Sequence, residues 1–391
     1  MNDEDYGALL LRPLKTGTPD GPTRIDVAKA MGDGLRARRV RTWSTVTAVT
    51  AGLAAIVTGG VLVLMPAPAP DEELPQPVLP ADVALPSSCT VDTLPAGDAK
   101  SAGVTGGDPT GTYLVGATEP VYNGDFDVLV WKNGKLVADV EYEGPRVEMT
   151  DINGIGDAVG RSNEGIPKPY AYQGGKVRPM KGIGTPIAIN DAGVIAGGTE
   201  HAVDEPYPQR WSSWDAEPEP MPLPDGITSG YAFDITEDGT ILTALDSVTK
   251  TRGAYLWHAD GEIEAIAAPA MDIDQPVNVW PIAFRYGWVY AAAGTDAQQS
   301  LFRYDPISKF WQKINDEPYS AQLPAGGPQG LFASPKVYIG KEMFALPTVE
   351  KYGDDYFMIE SLSEDASVIA GSNISSVAAD RPVDPMIWRC R

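Results

Sequence analysis

Apolar and polar positions along this chain follow a pattern that returns about every 40 residues. In Ile189-Asn190-Asp191-Ala192-Gly193-Val194-Ile195-Ala196-Gly197-Gly198 an apolar residue precedes a tight Asn-Asp-Ala-Gly turn, and a short β-branched run ending in glycine follows it. That pattern predicts two antiparallel strands and the hairpin between them. Fainter copies start at Ile152, Ile235 and Leu362; a weaker one runs from Ile282 to Tyr290, and one lengthened in its turn from Val104 to Gly116. A third, aromatic strand follows each hairpin: Val128–Trp131, Pro169–Tyr172, Pro208–Trp211, Ala254–Trp257, Leu301–Tyr304 and Pro385–Trp388. A turn then leads to an edge-like fourth strand, as at Lys135–Val137, Lys176–Met180 and Glu262–Ile266.

Four short strands in each unit of roughly 40–45 residues are the signature of a propeller blade. The hairpin copies are spaced 37, 46 and 47 residues apart from Ile152 to Ile282, and Leu362 lies 80 further on, about two periods. The expected fold is therefore an all-β propeller over residues 89–391, with six blades or, as the alternative, seven. The difference rests on residues 318–352, where strand-like pieces (Val337–Ile339, Met343–Leu346) occur without a hairpin copy. They are either a degenerate blade or an insertion.

The two cysteines bear on closure. Cys390 follows the third strand of the last unit, and Cys89 opens a segment that reads as the missing fourth strand. Pairing the N-terminal strand into the last blade removes the open edges of the ring. A Cys89–Cys390 disulfide would clip that closure, adding on the order of 4–5 kcal/mol in the chain-entropy model, less any strain.

Ahead of the repeats the pattern changes completely. Residues 43–65, WSTVTAVTAGLAAIVTGGVLVLM, carry no charge over 23 residues. As a helix they would span about 35 Å, enough for a hydrocarbon core of roughly 30 Å. Arg36, Arg38, Arg39 and Arg41 precede the span and Asp71-Glu72-Glu73 follow it. The positive-inside rule then puts residues 1–42, with a short basic helix from Thr23, in the cytoplasm and the C-terminal bulk outside the cell. A cleaved signal peptide fits less well: the region before the span is some 40 residues long, and Pro70 would follow the scissile bond. Residues 66–88 are the expected extracellular stalk, with seven prolines between Pro66 and Pro86 favouring extended backbone.

Composition supports strands: 41 Gly and 35 Pro supply turns, and 9 Trp and 16 Tyr supply strand-forming side chains. Charge narrows the partners. Residues 1–42 hold eight Lys/Arg and six Asp/Glu, leaving 22 and 47 for the rest of the chain, a net −25 beyond the membrane span. Such a surface repels phosphate backbones and anionic lipid, so nucleic acid is not an expected partner of this part.

Catalytic signatures do not stand out. The two histidines, His201 and His258, are distant in sequence, and no HExxH, CxxC, GxSxG or phosphate-binding loop occurs. No cofactor or metal site is expected. Asp191, Glu237-Asp238 and Glu364-Asp365 occupy matching turn positions and read as turn formers. Asp125/Asp127 and Asp272/Asp274 have the alternation that would place two carboxylates on one strand face, a pattern that could serve calcium but reads first as solvated edge. Asp151, Asp234 and Glu360 precede hairpins on strands expected to be innermost and are the candidate channel-lining residues; one of them could act as a base or ligand contact. Trp131, Trp211, Trp257 and Trp388 are expected in the core, while Trp214, Trp280, Trp288 and Trp311 are freer to form a binding face.

The units carrying Ile-Asn-Asp-Ala-Gly-Val-Ile-Ala-Gly and Ala-Tyr-Leu-Trp resemble the degenerate HAF-type repeats of bacterial extracellular propellers. The anchor, arginine cluster and Pro/Ala stalk are similar to membrane proteins of high-GC Gram-positive bacteria. The resemblance implies a fold and a location but no chemistry. The expected function is a binding or scaffold module for an extracellular protein, peptide or glycan; the alternative is a hydrolase or lyase acting on a cell-wall or other polymer. Signalling through the residue 23–41 helix is a third reading.

Overall fold

The computed structural model describes residues 79–391 except 81, 119–126, 143–145, 163–164, 200–205, 317–334, 350–355 and 375–382. The expected cytoplasmic segment, the 43–65 span and most of the stalk lie outside the described residues, as do His201 and Asp125. Among the described residues no helix is long and apolar enough to cross a membrane.

The first strand is β1 (Cys89–Thr93). Blade one follows as β2 (Ala102–Gly107), β3 (Tyr113–Thr118), β4 (Asp127–Lys132) and β5 (Lys135–Glu141). Blade two is β6 (Val147–Ile152), β7 (Ala158–Ser162), β8 (Pro169–Gln173) and β9 (Lys176–Pro179). Blade three is β10 (Thr185–Ile189), β11 (Ile195–Gly198), β12 (Pro208–Trp211) and β13 (Glu219–Pro220). Blade four is β14 (Ile227–Ile235), β15 (Ile241–Ser247), β16 (Arg252–Trp257) and β17 (Ile263–Ile266). Blade five is β18 (Asn278–Arg285), β19 (Trp288–Gly294), β20 (Gln299–Asp305) and β21 (Phe310–Asn315). A hairpin of β22 (Lys336–Ile339) and β23 (Glu342–Ala345) precedes the last blade, β24 (Tyr356–Leu362), β25 (Val368–Ile374) and β26 (Pro385–Cys390).

The described residues thus form six four-stranded antiparallel sheets and one two-stranded sheet, with the sixth blade completed by β1 in the order β1-β26-β25-β24. Cys89 lies directly opposite Cys390 in that register, and the two form a disulfide. The ring is a six-bladed propeller closed by its own N-terminal strand. The described part of the 318–352 stretch, residues 335–349, forms a wedge: Val337 and Ile339 pack with Phe357 and Trp388 of blade six, and Tyr338 packs with Trp288 and Leu301 of blade five.

The strands read as continuous apolar runs because each blade is sandwiched between two others. Val115, Val128 and Val130 of blade one pack on Met149, Tyr170 and Tyr172 of blade two. Equivalent layers join blades four and five around Leu256 and Val289, and blades six and one around Ile387 and Trp131. The outer strand β5 alternates between exposed and half-buried positions. The expected core tryptophans are buried, and three of them donate their indole N–H to a carbonyl on the preceding connection: Trp131 to Pro95, Trp211 to Lys181 and Trp388 to Pro347. Trp288, expected to be free for binding, is instead 1 % exposed. It sits in the second strand of blade five, beneath the guanidinium of buried Arg303 at 4.0 Å from the ring centroid.

Arg303 also binds the segment before β1. It pairs with Asp82 and donates to Gln312, while Leu79 and Val83 join the apolar clusters on either side of the wedge. The last residues of the proline-rich stretch are therefore laid across the seam between blades five and six.

The glycine that ends several hairpin copies has a steric reason. A Cβ would lie 2.0 Å from the Gly103 carbonyl oxygen at Gly116, 2.0 Å from that of Glu148 at Gly160, 2.1 Å from that of Thr185 at Gly197 and 2.0 Å from that of Met358 at Gly371. The inner strand crosses its neighbour too closely there for any side chain. Blades four and five place Thr243 and Ala291 at this register. Gly160→Ala is expected to lower stability by about 2–3 kcal/mol; an unchanged urea midpoint would show that the inner strand can move aside.

Candidate functional site

The innermost strands β2, β6, β10, β14, β18 and β24 surround the propeller axis, and each carries a bulge at a matching register. The extra residues there are Thr105, Thr150, Ile187, Phe233, Ile282 and Glu360, each left between two paired positions, and β14 has a second such residue in Thr228. A bulge re-aims the side chains beside it. Asp151 and Asp234 occupy the first paired position past the bulge in blades two and four. Glu360 is itself the bulged residue of blade six and is buried, so the three candidates are not equivalent.

Asp151 and Asp234 do the same work in different blades. The Oδ2 of Asp151 accepts the N–H of Ile189 at 2.9 Å, and that of Asp234 accepts the N–H of Phe284 at 2.8 Å. Each carboxylate thereby ties its blade to the inner strand of the next one. Asp234 is buried and also accepts from the guanidinium of Arg285 at 2.5 Å. Among the described residues Asp151 has no such ion-pair partner. Burial pushes its carboxyl up to about 7, with the Ile189 N–H and the positive field of Arg285 opposing and the charge of Asp234 reinforcing the rise. Arg285 remains a firm cation: burial disfavours its charge, but Asp234 and Asp151 more than compensate.

The hairpin turns at one end of the channel form a second ring. The first polar side chain of each turn closes its own loop, as when Asn153 accepts from the N–H of Asp157, Asn190 from Val194, Thr236 from Thr240 and Ser363 from Val368. The turns also clasp one another. Asn153 donates to the Asn190 carbonyl and Asn190 to that of Thr236, while Asp191 accepts from the Gly154 N–H and Glu237 from that of Asp191. Blade five departs from the Asn/Asp pattern with Arg285-Tyr286-Gly287, and its Tyr286 hydroxyl donates to the Ser363 carbonyl of blade six at 3.0 Å. Burial, then the neighbouring carboxylates Asp191 and Glu364, hold the Glu237 carboxyl above its ordinary range.

Beside this ring a crevice of about 240 Å³ opens between blades two and three. Trp214 lines it together with Ile155, Asp157 and Gln173 of blade two and Ile189 and Asp191 of blade three, while Tyr172, which also borders it, packs in the apolar layer shared with blade one. Sequence patterns singled out Trp214 but gave no reason to join it to Asp157 of blade two, because the β12–β13 connection that carries Trp214 is not repeated in the other units. Trp311, in contrast, stacks obliquely on Tyr304 and donates to the Ala267 carbonyl, which fixes it between blades. Asp272 and Asp274 lie in the connection between β17 and β18, not on a strand face. Among the described residues no cluster of three metal-ligating side chains occurs.

No family model and no curated protein matches this sequence. Solved structures match in fold. An oligogalacturonate lyase from Vibrio parahaemolyticus is 10% identical, with 79% of this chain and 98% of that one covered and a TM-score of 0.47. The β-propeller domain of the Trilobed protease from Pyrococcus furiosus is 12% identical, with 74% and 96% covered and a TM-score of 0.34. TolB from Acinetobacter baumannii is 10% identical over 58% of this chain, which spans only 55% of the TolB chain, with a TM-score of 0.39. The likeness to each is distant, and it is the sheet order of the described residues that makes the chain an all-β, six-bladed β-propeller.

Proposed function

We propose that this chain is a membrane-anchored propeller whose domain outside the cell binds a protein or peptide, or a glycan, through the face bearing the inner hairpin turns. The observation that carries this reading is the contrast between the channel and that face. In the channel, Asp151 and Asp234 are engaged in joining blades, and Asp234 is neutralised by Arg285. On the turn face, Trp214, Ile155 and the carboxylates Asp157 and Asp191 line an open crevice. The uncharged 43–65 span and its arginine flank support the anchor, and the Cys89–Cys390 disulfide suits an oxidising exterior. Crosslinking intact cells and purifying the full chain tests the reading: discrete protein or glycan neighbours are expected, and recovery of a soluble turned-over substrate alone would sink it.

One observation favours the competing reading, a hydrolase or lyase acting on an extracellular polymer. A carboxyl that titrates near 7 beside a fixed cation suits proton transfer at neutral pH. Asp151→Asn separates the two, since a channel enzyme loses turnover with this variant while a turn-face binder keeps its crosslinked neighbours.

A further inference from the structure

Between blade five, blade six and the β22–β23 wedge lies a buried polar cluster with too many donors. Its centre is Arg303 on β20, whose side chain is 3% exposed. The Trp288 ring stacks on the guanidinium, Nε donates to Gln312 Oε1 at 2.7 Å, and Tyr290 stands directly opposite in the β19–β20 register. The buried Trp288 N–H and Tyr290 O–H leave their protons without an acceptor among the described residues. Burial pushes the Tyr290 hydroxyl up to about 12, with Arg303 opposing and Asp82 reinforcing the rise, so it stays a donor at neutral pH. Among the described residues, one carboxylate pairs with Arg303, that of Asp82. The wedge turn lies over this pair: a Cβ on Gly340 would stand 3.4 Å from Asp82 Oδ1 and 3.6 Å from Arg303 Nη1.

The two halves of the contact are built differently. Arg303, Trp288 and Tyr290 are fixed by the central strands of blade five. Asp82 arrives on the end of the proline-rich stretch, and its side chain is 42% exposed. Among the described residues, backbone hydrogen bonds from this stretch to the propeller begin only at Ser87, and Pro80 and Pro86 have no N–H to give. Residues 79–83 are therefore a strap held by the apolar contacts of Leu79 and Val83 and by one carboxylate. Without a counter-charge a buried guanidinium is strongly disfavoured, and its planar fork matches a carboxylate. A polyanion would be repelled by the net −25 of the chain beyond residue 65. We propose that this seam is a binding site for a small carboxylate ligand, which the chain's own Asp82 fills as a built-in competitor. Ligand and strap exclude each other, so a ligand on Arg303 holds residues 79–83 off the seam.

The test is chemical rescue of Asp82→Ala in the full chain in nanodiscs, with urea midpoints measured in sodium chloride, acetate and sulfate at equal ionic strength. In chloride the variant should unfold at lower urea than the unaltered chain. Acetate should close at least half of that gap saturably, and sulfate should not. The unaltered chain, its site already filled, should respond to acetate with an apparent affinity about tenfold weaker or less. Should the alanine variant not fold, Asp82→Asn, which keeps the side-chain volume, carries the same comparison. The proposal is overturned if there is no gap in chloride, if acetate leaves the gap open, or if sulfate closes it equally. An equal acetate response in the unaltered chain overturns Asp82 as the competitor. Crosslinked neighbours of the turn face are untouched by any of these outcomes, so the two readings fail separately.

Discussion

Replacing Cys89 and Cys390 together by serine is expected to lower the unfolding free energy by roughly 5 kcal/mol, the largest single effect in this molecule. The bond spans a sequence separation of 301, so it removes a large part of the unfolded chain's freedom. It also lies at the one place where the ring is closed by strands from the two ends of the propeller, β1 against β26. The ladder between them survives the substitution, and Leu94 still donates its N–H to the Pro385 carbonyl. The variant should therefore fold but unfold at lower urea. Reductant should shift the unaltered chain to the variant's midpoint and leave the variant itself unmoved. Equal midpoints with and without the disulfide would mean that the β1–β26 pairing alone sets the closure.

Asp151→Asn should stabilise the chain in a pH-dependent way. The carboxyl titrates near 7 in the folded chain and near 3.8 when exposed, because burial disfavours its charge. Between those values the folded chain binds a proton that the unfolded chain has released, so the contribution of Asp151 to stability is fully present below about pH 4 and is lost as pH rises through 7. Asparagine is always neutral and still accepts the Ile189 N–H. The variant should match the parent at pH 4 and exceed it by about 2–4 kcal/mol at pH 8. Urea midpoints at pH 4, 6 and 8 measure the gap; a gap that does not widen with pH would place the Asp151 carboxyl in ordinary solvent.

The strand plan was legible because each blade repeats it. A turn rich in Asn, Asp and Gly, a glycine where the inner strand crosses closely and an aromatic third strand recur at residues 152–172 and again at 189–211. The closure was legible from Cys89 and Cys390 because only one strand was missing from the last unit. What the pattern concealed lies between the units. The turn residues Asn153, Asn190 and Asp191 read as shaping their own loops, yet they also bind the next blade, across 37 and 46 residues. Those separations equal the repeat spacing, a signal that a ladder of polar turns was present. The wedge of β22 and β23 has no copy elsewhere, so periodicity could not place it. Trp288 was misread because its buried partner, Arg303, and the Asp82 that pairs with Arg303 come from distant segments. The crevice was invisible for a similar reason, since Asp157 and Trp214 come to line one space only when blades two and three stack. Asp151 and Asp234 were found as channel candidates by their position before a hairpin, but the sequence carried no sign that one would be neutralised by Arg285 and the other left near a pKa of 7.

The turn-face assignment is tested most directly by photocrosslinking from a single position on each end of the propeller in intact cells. Ile155, 61% exposed, sits in the inner turn of blade two, and Val248, 67% exposed, sits in the β15–β16 turn at the opposite end. A photoreactive residue at 155 should capture a discrete partner, and the same residue at 248 should not. Capture from 248 alone, or equally from both ends, would contradict a binding role for the turn face.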